Sequence, residues 1–299
     1  MAKPKWNSNN IPSQKDKVVI ITGATSGLGK EATKVLSGKN ATVVMAVRNT
    51  KKGESVAQEI SQSFPNAIID VRKLELNSLK SIQTFAEGIK SSYDHLDILI
   101  NNAGVMACPF SKTEDGFEIQ MGVNHLGHFA LTGHLMPLLK KTKAARIVAT
   151  SSVAHRQGDI DFEDINWAKR TYKTGKAYGD SKLANLYFAY ELARKLKDNN
   201  NALTVTAAHP GWTTTDLQRH SLMFRMLNPI FSQNVENGVL PTLRAAIDEV
   251  AKPGDYYGPS GFMEAKGYPI LVNSNKMSHH EVNAKRLWDL SEEMTGVRY

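Results

Sequence analysis

Tyr178 and Lys182 stand four residues apart in the run Tyr178-Gly-Asp-Ser-Lys182, at the head of a strongly helical stretch. Side chains at that spacing project from one helix face. A phenol titrates near pH ~10, so it is a poor acid or base at neutrality unless a neighbouring ammonium stabilises its phenolate. The pair therefore has the makings of general acid–base chemistry. The same spacing also arises by chance in ordinary amphipathic helices, and alone the pair decides nothing.

A second candidate lies near the start of the chain, in Thr22-Gly-Ala-Thr-Ser-Gly-Leu-Gly29. Its three glycines let the backbone turn tightly and approach a pyrophosphate, and the helix after them presents free N–H groups and a positive dipole end. Glycine clusters also serve plain chain reversal. Set after a first strand and before a helix, this one reads as a dinucleotide site. The end of the next strand distinguishes the two nicotinamide cofactors, because a carboxylate there grips a ribose 2′-hydroxyl and a cation accommodates a 2′-phosphate. Here the sequence is Ala46-Val-Arg-Asn49 with Lys51 and Lys52 beyond, so Arg48 favours NADP over NAD. A surface arginine capping a strand is the plainer alternative.

The elements that must carry these residues alternate. Lys17–Thr22, 41–47, 68–74, 96–100, Arg146–Thr150 and Leu203–Ala208 read as strands. Helical periodicity fills 27–37, 51–64, 79–93, 122–140, 178–196 and 237–247. A βαβ series with crossovers of this length implies a single Rossmann-type doubly wound parallel sheet with helices on both faces. The 299 residues exceed the usual single-domain length of about 150, but no Pro-, Gly- or Ser-rich linker and no repeat divides them. The expected organisation is a polar extension over 1–14 and one domain over 15–299.

Composition excludes several classes. Hydrophobic residues at 41% and charged residues at 22% describe a chain able to bury a core. The net charge of +8 is scattered, which argues against nucleic-acid binding. With no apolar run long enough for a bilayer and a polar N-terminus, a cytoplasmic protein is expected. The single cysteine, Cys108, cannot form an internal disulfide and suits a reducing compartment. His125 and His128 sit three apart on one helix without an obvious third ligand, so no metal is expected.

The glycine turn and the Tyr–Lys pair also occur in a fixed order with other signatures. These are Asn101-Asn-Ala-Gly104 after the fourth strand, Asn124 in Val123-Asn-His-Leu-Gly127, Ser152 after the fifth strand and Pro210-Gly211 after the sixth. In this joint pattern, from about Lys15 to Arg298, the sequence resembles the short-chain dehydrogenase/reductase family. Within it, Met45-Ala-Val-Arg-Asn49, Asn101-Asn-Ala-Gly-Val-Met106, Gly122-Val-Asn-His-Leu-Gly-His128, Ser151-Ser-Val-Ala-His155 and Ser181-Lys-Leu-Ala-Asn185 resemble the retinol dehydrogenase-like reductases. Many animal members of that group carry an N-terminal membrane anchor, where this sequence opens with polar residues.

The resemblance implies roles. Tyr178 would give or take the proton, Ser152 hydrogen-bond the reacting oxygen, Lys182 hold the nicotinamide ribose and lower the tyrosine pKa, and Asn124 anchor a water in the proton relay. Ser151 is the competing serine. Strand alternation puts the two on opposite sides, and the family motif selects the second. The cofactor contacts it implies are Gly23, Ser26, Gly27, Leu28 and Gly29, then Arg48 and Asn49, then Glu75 and Leu76, with Glu75 in place of the family's usual Asp. Asn102, Ala103 and Gly104 follow, with Tyr178, Lys182, Pro210, Gly211, Thr213 and Thr215.

Tyr178 lies 26 residues after Ser152, and the insert Gly158–Gly175 resembles the extended loop of the retinol dehydrogenase and protochlorophyllide reductase branches. The pigment enzyme's motif has a cysteine two positions after its lysine, where this chain has Ala184. Met and Phe residues in Leu217–Phe231 suggest a substrate lid over about 212–232 that suits a hydrophobic carbonyl or alcohol. Packed core or a subunit contact is the alternative for that stripe, and a homodimer or homotetramer is compatible with it. A non-catalytic dinucleotide-binding redox sensor or scaffold is the competing class, but such sensors generally lose the Tyr or Lys.

Overall fold

A computed structural model describes residues 5–197, 203–213 and 233–299. The β-branched run Val18–Thr22 forms β1, fully buried along its length, as expected of a strand covered on both faces. Around it stand β2 (Thr42–Val47), β3 (Ile68–Lys73), β4 (Ile98–Asn101), β5 (Arg146–Thr150), β6 (Thr204–Ala208), β7 (Tyr256–Pro259) and β8 (Pro269–Leu271). The order is β3-β2-β1-β4-β5-β6-β7-β8 in one eight-stranded sheet. Every neighbouring pair is parallel except β7 with β8, whose antiparallel edge the sequence reading did not foresee.

The helices divide between the faces. On one side α1 (Gly27–Gly38), α2 (Thr50–Ser63) and α8 (Leu240–Ile247) cover Val19, Ile21, Val43 and Met45. On the other, α3 (Leu79–Ser92), α5 (Gly127–Lys141), α6 (Thr174–Leu196) and α9 (Glu281–Thr295) cover Val18, Ile20 and Val44. Alternate residues of β1 thus feed opposite cores, the physical signature of the doubly wound arrangement. Two small pieces complete the set, α4 (Ile119–Met121) and α7 (Val235–Gly238). Within the expected N-terminal extension, Ile11 is buried in the core beside α1.

Three helical expectations change. The stretch read as one helix over 122–140 is a π-helical turn at Gly122–Leu126 followed by α5, with α4 immediately before it. The helix read from Tyr178 begins one turn earlier, at Thr174. The helix near 237–247 is interrupted at Val239. Among the described residues, no helix is long and apolar enough to cross a membrane.

Candidate active site

The glycine turn joins β1 to α1 at the carboxyl ends of the strands, where open α/β sheets bind their ligands. Gly23 takes φ +69° and a Cβ on Gly29 would stand 2.4 Å from the Gly23 carbonyl oxygen and 2.7 Å from Asn102 Nδ2. Only a bare backbone lets helix, turn and the Asn102 loop close so tightly. Ser26 precedes α1 and makes no side-chain cap bond, which leaves a hydroxyl and the helix N-terminus for an anion. Arg48 is exposed at the end of β2, with no carboxylate beside it in the sequence. Asn49 caps α2 by accepting from the Lys52 N–H at 3.0 Å, and Glu75 pairs with Lys73 at 3.0 Å. Leu76 is partly buried against the core.

Thr22 organises the next turn. Its Oγ1 accepts from the N–H groups of Asn102 and Ala103, both at 2.9 Å, while Asn102 Nδ2 donates to the Thr22 carbonyl at 2.8 Å. A Cβ on Gly104 would lie 3.0 Å from Asn124 Oδ1 and 3.6 Å from Lys182 Nζ, so this turn runs directly beside the Tyr–Lys helix. These surroundings fit a dinucleotide: a bare-backbone cradle, a hydroxyl at a helix start that makes no capping bond, and a cation at the second strand end.

Tyr178 and Lys182 occupy successive turns of α6, with the ammonium 5.6 Å from the phenol ring centroid. Lys182 Nζ donates to the Thr150 carbonyl at 3.2 Å, and burial pulls its pKa down to about 8. Tyr178 is buried, and burial pushes its phenol up to about 12 against the opposing hydrogen bond with Ser152. The sequence reading expected the lysine to depress that phenol. Burial instead sets the direction at both groups, since desolvation disfavours phenolate and ammonium alike.

The two serines separate as alternation requires. Ser151 is buried and donates to the Lys182 carbonyl at 2.8 Å, holding β5 to α6. Ser152 turns the other way toward Tyr178 and caps the 3₁₀ turn Val153–Gln157 by accepting from Ala154 N–H at 3.2 Å.

Asn124 lies inside the π-turn. Its side chain accepts from Val105 N–H at 2.8 Å and donates to the Val105 carbonyl and Ser181 Oγ, both at 2.9 Å. With both donor hydrogens and an oxygen lone pair so used, its side chain clamps the 105 loop, and its main-chain carbonyl is engaged separately. That carbonyl accepts from His128 Nδ1 at 3.0 Å, so the other ring nitrogen accepts from Thr22 Oγ1 at 2.9 Å. Burial pulls His128 down to about 4, so the ring is neutral. Sequence reasoning weighed His128 only as a metal ligand. Its link to Thr22 spans 106 residues and left no local pattern to read. His125 bonds Ser291 instead, at 2.8 Å.

The insert 158–175 closes against the loop after Gly104. Tyr172 donates to Glu118 at 2.8 Å, and Thr174 Oγ1 donates to the Cys108 carbonyl at 2.9 Å. Across the site, Pro210 and Gly211 follow β6, and Thr213 Oγ1 donates to the Pro210 carbonyl at 2.8 Å. Thr215 and the lid expected over 212–232, beyond its first two positions, lie outside the described residues.

Fold and site together define an oxidoreductase scaffold for a nicotinamide dinucleotide. A sequence profile of the short chain dehydrogenase family matches residues 17–223, and the chain belongs to that family. It is 44% identical to human retinol dehydrogenase 12 over 289 residues, spanning 95% of this chain and 87% of that protein. It also resembles the crystal structure of an uncharacterized protein from Mycobacterium paratuberculosis, with TM-score 0.84, 39% identity and 99% of each chain covered. A short chain dehydrogenase from Shigella flexneri complexed with NADP superposes with TM-score 0.67 at 26% identity, covering 83% of this chain and 98% of that one.

Proposed function

We propose that the protein is an NADP(H)-dependent reductase of hydrophobic aldehydes and ketones, and an oxidant of the corresponding alcohols. The observation that carries this reading is the convergence of Ser152, Tyr178 and Lys182 beside the Asn102–Gly104 turn, which is itself bonded to Thr22 at the glycine turn, with Arg48 exposed at the end of β2. When bound, the dinucleotide supplies or accepts the hydride at carbon. Ser152 and Tyr178 then form the hydrogen-bonding pair for the substrate oxygen, where negative charge develops. Tyr178, protonated near neutrality, delivers its proton to that oxygen in reduction and takes it back in oxidation. The Lys182 ammonium offsets phenolate charge as the proton leaves, and the Asn124 carbonyl orients the water that restores it. Arg48 would meet a 2′-phosphate at the far end of the cleft.

The retinol dehydrogenase relatives and the NADP-complexed neighbour support both halves of the reading, a large apolar substrate and the phosphorylated cofactor. The test is a panel of ketones, aldehydes and alcohols with NADPH, NADH and their oxidised forms, followed by nicotinamide absorbance. Carbonyl reduction with preference for NADPH is expected, and Arg48→Asp should erase or reverse that preference. Equal use of both cofactors by the wild type would contradict the role of Arg48.

A further inference from the structure

Two turns flank the candidate site from different parts of the chain, the 3₁₀ turn capped by Ser152 and the turn His209-Pro-Gly-Trp-Thr213 after β6. A third segment, the 3₁₀ turn Phe262–Glu264 between β7 and β8, touches both. Glu264 Oε1 accepts from Arg156 at 2.7 Å, and its Oε2 stands 2.9 Å from His209 Nε2. His209 is fully buried, and neither its Nε2 nor Glu264 Oε2 has a well-aligned hydrogen-bond partner among the described residues, so the two buried atoms answer each other by proximity. Gly211 N–H donates to His209 Nδ1 at 3.2 Å, which puts the ring proton on Nε2, facing the carboxylate. Burial holds His209 below its usual pKa, while the His209 contact, above its other influences, lowers Glu264. The charge pattern is thus a neutral imidazole and a guanidinium on one carboxylate.

The backbone reinforces the contact. Trp212 N–H donates to the Ala265 carbonyl at 2.8 Å. Gly211 takes φ +66°, and a Cβ there would lie 2.4 Å from the Ala265 carbonyl oxygen and 2.7 Å from that of Glu264. Met263 and Glu264 themselves take φ +51° and +55°, left-handed values that cost non-glycine residues energy and persist where surroundings enforce them. A strained turn held in this pose by one ion pair, an imidazole contact and a close backbone approach is a built strut.

We propose that Glu264 is a positioning residue that ties the Ser152 turn to the Pro210–Gly211 turn, fixing the backbone that receives the nicotinamide half of the cofactor. This rests on the reading of Pro210 and Gly211 as cofactor contacts. Glu264 does not touch the reacting atoms. Its effect is therefore confined to ligands that reach its end of the cleft, and the adenine end, built from the first glycine turn and Arg48, is independent of it.

The experiment compares dissociation constants for NADPH and for adenosine 2′,5′-bisphosphate, which fills the adenine end alone, in wild type, Glu264→Gln, Arg156→Met and the double variant. Glu264→Gln should weaken NADPH by about tenfold, the scale of a lost hydrogen bond to a charged group, and leave the fragment within about twofold. Arg156→Met should weaken NADPH in the same selective way. The double variant should be no worse than Glu264→Gln, because both changes remove one bridge. NADPH binding within about twofold of wild type in Glu264→Gln, or an equal loss for the fragment, overturns the strut. Should Glu264→Gln fail to fold, Arg156→Met is judged by the same criteria. A wild type that binds neither ligand removes the dinucleotide reading and the strut with it.

Discussion

The proposed chemistry rests on two buried groups whose ordinary pKa values are displaced toward their neutral forms. Tyr178 at about 12 keeps its proton across the physiological range, and Lys182 at about 8 keeps its charge only up to mildly alkaline pH. Tyr178→Phe removes the hydroxyl while preserving the packed ring. Turnover should fall by at least about 100-fold with NADPH binding retained, as measured by steady-state rates and nicotinamide fluorescence, because acid–base groups contribute ~10²–10⁴. Retention of more than about a tenth of the rate would remove Tyr178 from its role. The pH profile has a definite sign. Lys182 loses its proton as pH rises through about 8, so kcat/KM for NADPH, which reports the free protein, should be level below that value and decline above it. A profile flat to about pH 9.5 would show that Lys182 holds its proton more strongly than burial implies.

At the scale of elements, β1, the glycine turn and the paired Tyr178 and Lys182 were legible because each depends on local pattern. An unbroken β-branched run makes a strand buried on both sides, and four-residue spacing makes a shared helix face. The π-turn was not legible, since one extra residue per turn hardly disturbs a helical hydrophobic period. Strands β7 and β8 are only four and three residues long and contain Pro259 and Pro269, too little pattern to read. Helix α9 did leave a signal that went unread. Ala284, Leu287, Trp288, Ser291 and Thr295 line its buried face at helical spacing, and Gly296 ends it in the left-handed conformation. Trp288 packs in an aromatic cluster, 5.1 Å from the Phe129 ring, 6.0 Å from Phe188 and 4.7 Å from Tyr299. Because Phe129 and Phe188 belong to α5 and α6, this contact braces the helix that carries Tyr178. Trp288→Ala should cost about 3–5 kcal/mol in chemical denaturation. A loss below about 1 kcal/mol would mean that α9 is peripheral to the fold.

Across the whole molecule, the site is assembled by long-range contacts that no motif announces. His128 joins the Asn124 turn to Thr22, Ser151 joins β5 to α6, and Glu264 touches Arg156 and His209 from a turn far along the chain. The residue types of the site were readable as an ordered set, whereas their supports were not, because each is a single polar side chain meeting a partner dozens of positions away. The apolar stretch 217–231 falls outside the described residues, so the substrate side is tested by chemistry instead. The decisive measurement is kcat/KM with NADPH for unbranched aldehydes from butanal to dodecanal. An apolar pocket gains up to ~0.8 kcal/mol for each methylene buried, so kcat/KM should climb by as much as about fourfold per carbon until the pocket is filled. A series that is flat, or highest at butanal, or that consumes no NADPH at any length would contradict an NADP(H)-dependent reductase of hydrophobic carbonyl compounds.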